Sequence, residues 1–273
     1  MRRWFPSRRR PTKGADEVPV FAYWADTDHT PIESTIEEWR AHFPQFRVLG
    51  DNDVVPLIGK YFPQYFDSYR AIRIPAAKAD VARLLALYEW GGLYVDCHCG
   101  IKDADALRRL IGRLCEFEAI LVDRSLSQTP RSPEEHFLIS AILLARTGSQ
   151  LFLMIAREAL ANLHRQHEIE REMGFVSYHI SWLSGPRLIN AVTLQPGTRN
   201  REIRSDLVGR VLVIPEETAP VERYRHRGYR VPTSHWMERQ KTELLFTDKA
   251  SDEPWTGASV DLWPLPLASD PAA

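Results

Sequence analysis

Two side chains standing two residues apart, Asp96 and His98, are the first candidates for chemistry in this chain. They follow Leu93-Tyr94-Val95, a short apolar run that reads as a buried strand. A carboxylate just past the carboxyl end of such a strand sits where open α/β sheets bind ligands. A carboxylate oxygen beside an imidazole nitrogen suits a divalent cation: Mg²⁺ takes oxygen ligands, and Mn²⁺ accepts imidazole more readily. Upstream, Asp80 and Arg83 are three residues apart on a helical pattern, so one turn presents a carboxylate and a guanidinium toward the same ligand or toward solvent. Cys97 and Cys99 flank His98, but alternating residues at a strand end point in opposite directions, and structural zinc needs four suitably spaced ligands. Zinc is not expected.

The elements that must position these groups are legible around them. Ala77, Val81, Leu84, Leu85 and Tyr88 repeat at helical spacing, and Gly91-Gly92 ends that helix before the strand. Earlier in the chain, Val18 to Trp24 reads as the first strand. Ser34 to Phe43 reads as a helix opened by a Ser34/Glu37 capping box, and Phe46 to Leu49 as a second strand closed by a Gly50-Asp51-Asn52-Asp53 turn. Strand, helix, strand implies a parallel pair with a right-handed crossover. Val54 to Tyr69 is expected to form short helices interrupted by Pro56 and Pro63. Farther on, the pattern predicts a helix over Ala106 to Leu114 and a strand over Phe117 to Val122. It then predicts a helix from Ser132-Pro133-Glu134-Glu135 to Arg146, a helix from Gln150 to about His164, a helix over Arg187 to Val192 and a strand over Val211 to Ile214. The fold class expected is α/β, a mostly parallel sheet with helices on both faces.

With 273 residues, the chain can bury one substantial core. Its 35 basic and 36 acidic residues nearly balance, so no global field favours nucleic acid. The opening MRRWFPSRRR is a local exception, expected as a basic disordered arm over 1–17 that could touch an anionic membrane surface. One domain over 18–250 and a loose tail over 251–273 complete the expected organisation. No stretch reaches the roughly 18 apolar residues of a membrane span, and no apolar run follows the first arginines as a signal peptide requires. Three cysteines make no disulfide framework. A cytoplasmic protein, peripheral at most at the inner membrane face, is the expectation.

Asp80 and Arg83 on an alanine-rich helix, then Gly91-Gly92, Tyr94 and Asp96-Cys97-His98, resemble the sugar-binding region of the DXD-motif glycosyltransferases. The pattern is similar to the group that includes yeast initiating mannosyltransferases and, more distantly, the clostridial toxin glycosyltransferases. Pro19 to Trp24, Ser184-Gly185-Pro186 and His235-Trp236 resemble further parts of the family in the same order. The resemblance implies a GT-A-like Rossmann-type fold and transfer of a hexosyl group from a UDP- or GDP-sugar to a hydroxyl of a glycan, lipid or protein, with retention at the anomeric carbon. It implies donor-binding roles for Trp24, Asp80, Arg83, Gly91, Gly92, Tyr94 and Asp96. Asp80 would hold a sugar hydroxyl with Arg83 sharing the task. Asp96 would contact the ribose and a metal-bound water or the metal itself, His98 at the next motif position would ligate Mn²⁺ or Mg²⁺ directly, and His235 would be a late metal ligand. Capsule or lipopolysaccharide assembly is one setting such a reaction would suit.

Several of these positions also admit plainer readings. Trp24 could stack on a pyrimidine base, a contact worth roughly 1–3 kcal/mol, or fill the core. Tyr94 is expected to pack in the core with its hydroxyl reaching the site. His235 is either a metal or phosphate ligand or an exposed histidine. His98 itself departs from the family pattern, which has a second aspartate there. An imidazole removes one negative charge, which weakens metal binding and shifts preference toward Mn²⁺. The rival expectation that follows is a nucleotide-sugar binder without catalysis. No catalytic base is assigned, because in a retaining reaction the departing phosphate can accept the acceptor's proton.

Overall fold

The computed structural model describes residues 17–124, 138–196, 202–226, 228 and 235–247. Residues 1–16 of the basic arm, the 132–137 helix start and the C-terminal tail expected from the sequence lie outside these residues. Strand β1 (Val20–Tyr23) leads through a short 3-10 turn to α1 (Glu33–His42) and then to β2 (Arg47–Leu49), which pairs parallel to it. Helices α2 (Asp51–Tyr61), α3 (Phe66–Arg70) and α4 (Pro75–Trp90) carry the chain back to β3 (Gly92–Val95), parallel to β1 on its other side. The strand order therefore reverses at β1, and the adjacent carboxyl ends of β1 and β3 form the switch-point crevice of an open α/β sheet.

Next come a two-residue strand β4 (Gly100–Ile101), α5 (Ala104–Gly112), β5 (Ala119–Asp123) and β6 (Leu138–Ala145). The long α6 (Gln150–Met173), the short α7 (Ile180–Leu183), α8 (Pro186–Thr193), β7 (Val211–Pro215), β8 (Val221–Glu222) and α9 (Trp236–Arg239) follow. The main sheet has six strands in the order β2-β1-β3-β6-β5-β7, with β4 and β8 forming a separate antiparallel pair. Five of the six strands run in one direction and only β6 opposes its neighbours, so the sheet is mostly parallel, as expected.

Two apolar layers cover the sheet, one on each face. Phe21, Tyr23 and Tyr94 point toward α2, α4 and α6, whereas Val20, Ala22, Leu93 and Val95 point toward α1 and α5. This is the period-2 alternation of a strand buried on both sides. It places Tyr94 and the residue two farther on, Asp96, on the α4 side. Helix α4 is buried almost all round, with Ala77, Val81, Ala82, Leu84, Leu85, Ala86 and Leu87 fully enclosed between the sheet and α6.

Several expectations are corrected. The apolar run 138–145 is a strand instead of the end of a helix. A continuous apolar run has no period that separates the two, and here it fills the gap between the open edges of β3 and β5. Ser34 caps nothing: α1 begins at Glu33 after the 3-10 turn, and the Ser34 hydroxyl faces His226. Gly50 to Asp53 opens α2 instead of making a free turn, because the Asp53 carboxylate accepts the Gly50 N–H at 2.8 Å. Pro56 sits inside α2 without ending it, and α6 runs on to Met173.

Gly91 and Gly92 join α4 to β3 at φ 69° and 96°. A Cβ on Gly92 would stand 2.0 Å from the Pro19 carbonyl oxygen, whereas one on Gly148, at φ 77°, would meet nothing within 4 Å. Gly148→Ala is expected to cost only the backbone term of about 1–2 kcal/mol. Gly92→Ala should cost clearly more, because the strand pair must also move apart. Urea denaturation of both variants checks this, and equal losses would show that the β1–β3 approach tolerates a side chain.

Candidate functional site

The parallel register pairs Phe21 with Tyr94, so the end of β1 at Tyr23 lies level with Asp96. Asp96 is held there by its backbone, which donates to the Ala141 carbonyl of β6 at 2.9 Å and accepts from the Cys99 N–H at 2.8 Å to close the following turn. Thr35 Oγ1 and Trp39 Nε1 of α1 donate to the carbonyls of Cys97 and Cys99, fixing the turn from the other face at 2.7 and 2.8 Å. Both thiols lie in the apolar layer, and burial raises their pKa well above the usual value, so they remain neutral.

Arg83 is the centre of the polar cluster. Its side chain is only 6% exposed and bridges two carboxylates, Asp80 Oδ1 at 3.2 Å and Asp96 Oδ1 at 3.2 Å. The guanidinium also donates to the carbonyls of Ala79 and Ser140, at 3.0 and 2.6 Å, and lies over the Tyr94 ring. Tyr94 in turn donates its hydroxyl to Asp96 Oδ1 at 2.8 Å. Oδ1 of Asp96 is thus engaged by Arg83 and Tyr94, while Oδ2 faces His98 Nδ1 at 3.9 Å. The Asp96 side chain keeps 21% exposure, against 8% for Asp80.

Asp80 sits deeper. Ser184, in the loop before α8, donates to Asp80 Oδ2 at 3.0 Å. Burial pushes the Asp80 carboxyl up to about 6, opposed by the Arg83 charge and the Ser184 hydrogen bond. A carboxylate can accept about four hydrogen bonds, so Arg83 and Ser184 leave acceptor capacity for a ligand hydroxyl.

Other expected site residues fare differently. Trp24 follows β1 directly and is half-buried, and its indole N–H donates to the Asp28 carbonyl at 2.9 Å, which fixes the ring beside the crevice. Gly91 and Gly92 stand at the amino end of β3, the opposite end from Asp96, where close backbone packing accounts for them, so the donor-binding assignment does not extend to them. His235 caps α9, its Nδ1 accepting the Met237 N–H and its ring stacked on Trp236. Among the described residues no three or more His, Cys, Asp or Glu side chains are arranged to hold a metal, so the expected set of Asp96, His98 and His235 is not assembled. The ring of His235 serves its own helix instead.

Three contributors had no assigned role in the sequence. Ser184 lies in the Ser-Gly-Pro turn, which was visible as a motif. The Ser140 carbonyl was hidden by the misread β6. Tyr224, stacked on His98 at 4.9 Å and 13°, carries no motif at all.

Residues 28–104 match the family model of the glycosyltransferase sugar-binding region containing the DXD motif. The matched stretch includes Asp80, Arg83, Tyr94, Asp96 and His98, and the resemblance is shown there. Among solved structures the chain is similar to the PaToxG glycosyltransferase, with 11% identity and a TM-score of 0.41 over 64% of this chain and 68% of that one. The glycosyltransferase domain of the YGT toxin is also similar. Its ligand-free form gives 11% identity and a TM-score of 0.38 over 72% of this chain and 58% of that one. Its UDP-bound form gives 12% identity and a TM-score of 0.38 over 73% and 57%. The chain thus spans less than two thirds of the YGT domains. A comparison with curated proteins finds no match.

Two predictions follow from the buried cluster. A carboxyl raised from 3.8 to about 6 binds its proton more tightly in the folded state. Its contribution to stability is full below 3.8 and is lost as pH rises through about 6, up to about 3 kcal/mol in all. Denaturation at pH 4 to 7 should therefore show the parent losing stability relative to Asp80→Asn over that window; a constant difference would contradict the raised value. Arg83→Met strands two carboxylates together and should cost about 3–5 kcal/mol in the same assay. A loss below about 1 kcal/mol would mean that solvent reaches the pair.

Proposed function

We propose that this chain, with its DXD-type sugar-binding region, transfers a hexosyl group from a UDP- or GDP-sugar to a hydroxyl of a glycan, lipid or protein. The reading includes retention at the anomeric carbon and dependence on Mn²⁺ or Mg²⁺. The observation that carries it is the Asp80–Arg83–Asp96 cluster at the switch point, buried on the Asp80 side and open at Asp96.

The donor set suits a divalent cation. Asp96 Oδ2 and His98 Nδ1 are 3.9 Å apart, wider than the roughly 3 Å between adjacent ligands of an octahedral ion at about 2.1 Å. A small turn of the part-exposed Asp96 carboxylate would bring both onto one cation. Two protein ligands are what such ions commonly receive when phosphate oxygens and waters supply the rest. The imidazole favours Mn²⁺ over Mg²⁺. When bound, the cation would supply Lewis-acid neutralisation of the diphosphate leaving group.

The chain's own residues do the remaining work. Asp80, oriented by Arg83 and Ser184, accepts a hydroxyl of the donor sugar and fixes the anomeric carbon relative to Asp96. Arg83 is the shared counter-charge of both carboxylates and keeps them separately aimed. Tyr94 constrains Asp96 Oδ1, which leaves Oδ2 to face His98. Trp24, at the end of β1, offers a face to the base. Positioning of this kind, with charge stabilisation, accounts for leaving-group departure without a dedicated base.

A second reading, a nucleotide-sugar binder without catalysis, is favoured by one observation: His98 stands where the motif has a second acid. Donor hydrolysis across a panel of nucleotide sugars separates the two. The parent with Mn²⁺ is expected to hydrolyse at least one donor, EDTA to abolish this, and Asp96→Ala to slow it by about 100-fold or more. Calorimetric UDP or GDP binding that ignores Mn²⁺, with no hydrolysis, would establish the binder. An Asp96→Ala protein as fast as the parent would remove Asp96 from the reaction.

A further inference from the structure

Tyr224 is the only non-glycine with positive φ, 70°, among the described residues. A bulky side chain in that region costs of order 1–3 kcal/mol and persists only where its surroundings hold it, often at ligand clamps. Here the surroundings are specific. The preceding strand β8 pairs with β4 directly after the Asp96 turn, Glu222 against Gly100 and Val221 against Ile101. The His226 N–H donates to the His98 carbonyl at 3.2 Å. Glu38 of α1 then gathers His226 Nε2, Arg225 Nε at 3.2 Å and the Ile101 N–H at 3.0 Å on one carboxylate. Gly100 lets this segment lie flat, because a Cβ there would stand 2.1 Å from Arg225 Cδ.

The held residue acts on His98. Tyr224 stacks face to face on the imidazole at 4.9 Å, with 13° between the planes. The Arg223 guanidinium lies 4.5 Å from the Tyr224 ring centre and donates to its hydroxyl at 3.1 Å, while pairing with both oxygens of Glu216 at 2.7 and 3.2 Å. A continuous series of contacts thus runs from Glu216 through Arg223, Tyr224 and His98 to Asp96. An imidazole pressed against a flat ring keeps its plane, so the face contact holds His98 in the plane in which Nδ1 faces Asp96 Oδ2 at 3.9 Å.

We propose that Tyr224 is a positioning residue for His98, holding the imidazole in the orientation needed for binding a divalent cation with Asp96. The inference rests on the reading of Asp96 and His98 as that cation's protein ligands. It assigns the strained backbone a use: the left-handed turn at 224 lets the ring lie over His98 while the chain on either side stays on β4 and Glu38.

The test measures Mn²⁺ held by the full chain through water-proton relaxation enhancement, in the presence of UDP and separately of GDP, for the parent, His98→Ala, Tyr224→Phe, Tyr224→Ala and Tyr224→Gly. The parent should bind and His98→Ala should not. Tyr224→Phe, which keeps the stacked ring, should stay within about twofold of the parent. Tyr224→Ala and Tyr224→Gly should weaken binding by about 3- to 10-fold, the range an aromatic face contact supports. The glycine variant removes the ring without the left-handed strain and the alanine variant removes it without glycine's added chain freedom, so a loss common to both comes from the missing ring. The His98 Hε1 proton resonance, identified by its absence in His98→Ala, should sit upfield in the parent and Tyr224→Phe and return to its usual position in the other two. If the parent binds and His98→Ala does not, while Tyr224→Ala and Tyr224→Gly bind like the parent, Tyr224 has no positioning role. If the parent holds no Mn²⁺, or His98→Ala holds as much, the metal reading itself fails and takes this inference with it.

Discussion

One guanidinium between two carboxylates governs this site. Asp80 and Asp96 are close enough to repel, and Asp80 is almost wholly removed from water. Taking a carboxylate out of water costs several kcal/mol unless a counter-charge and hydrogen bonds stay with it. Arg83 supplies the charge to both, and its fork geometry allows one side chain to serve two partners and two backbone carbonyls at once. A lysine could not do this with a single ammonium.

The fold delivers the fork by topology. Because the strand order turns back at β1, the helix entering β3 must cross the sheet beside the crevice, and Asp80 and Arg83 ride on that helix. Strand alternation then brings Tyr94 and Asp96 to the same face. The opposite face holds the turn, through Thr35 and Trp39 of α1. Two layers of ordinary apolar packing thereby fix a polar site at their shared rim. The third support, residues 222–226, comes from far along the chain and closes over the turn on a single acid, Glu38.

How much of this could be read beforehand follows from the range of the interactions. Helix α4, the glycine pair and β3 were legible because their signals are local: helical spacing, a helix stop and a short apolar run. The Asp80, Arg83, Tyr94 and Asp96 grouping was legible because it lies on two consecutive elements. Strand β6 was misread because a run such as 138–145 has no period of its own and takes its state from its neighbours. Arg83 was expected to face a ligand, and only the packed structure revealed it as the internal counter-ion of two acids. His235 had a suggestive neighbour in Trp236, but its ring is spent on the start of α9. Tyr224 could not have been found, since a contact between positions 98 and 224 leaves no local mark.

The reversed direction of β6 has a consequence for how this site tolerates sequence change. The carbonyl that receives Arg83 and the one that receives the Asp96 N–H belong to consecutive residues, Ser140 and Ala141, and both are main-chain groups. Replacing either side chain leaves the acceptors where they are, so this part of the wall can drift in composition and still serve. Adding or deleting a single residue within 138–145 would shift both carbonyls out of step together, separating the guanidinium from one acceptor and Asp96 from the other. This wall is thus encoded in chain length and pairing more than in residue identity.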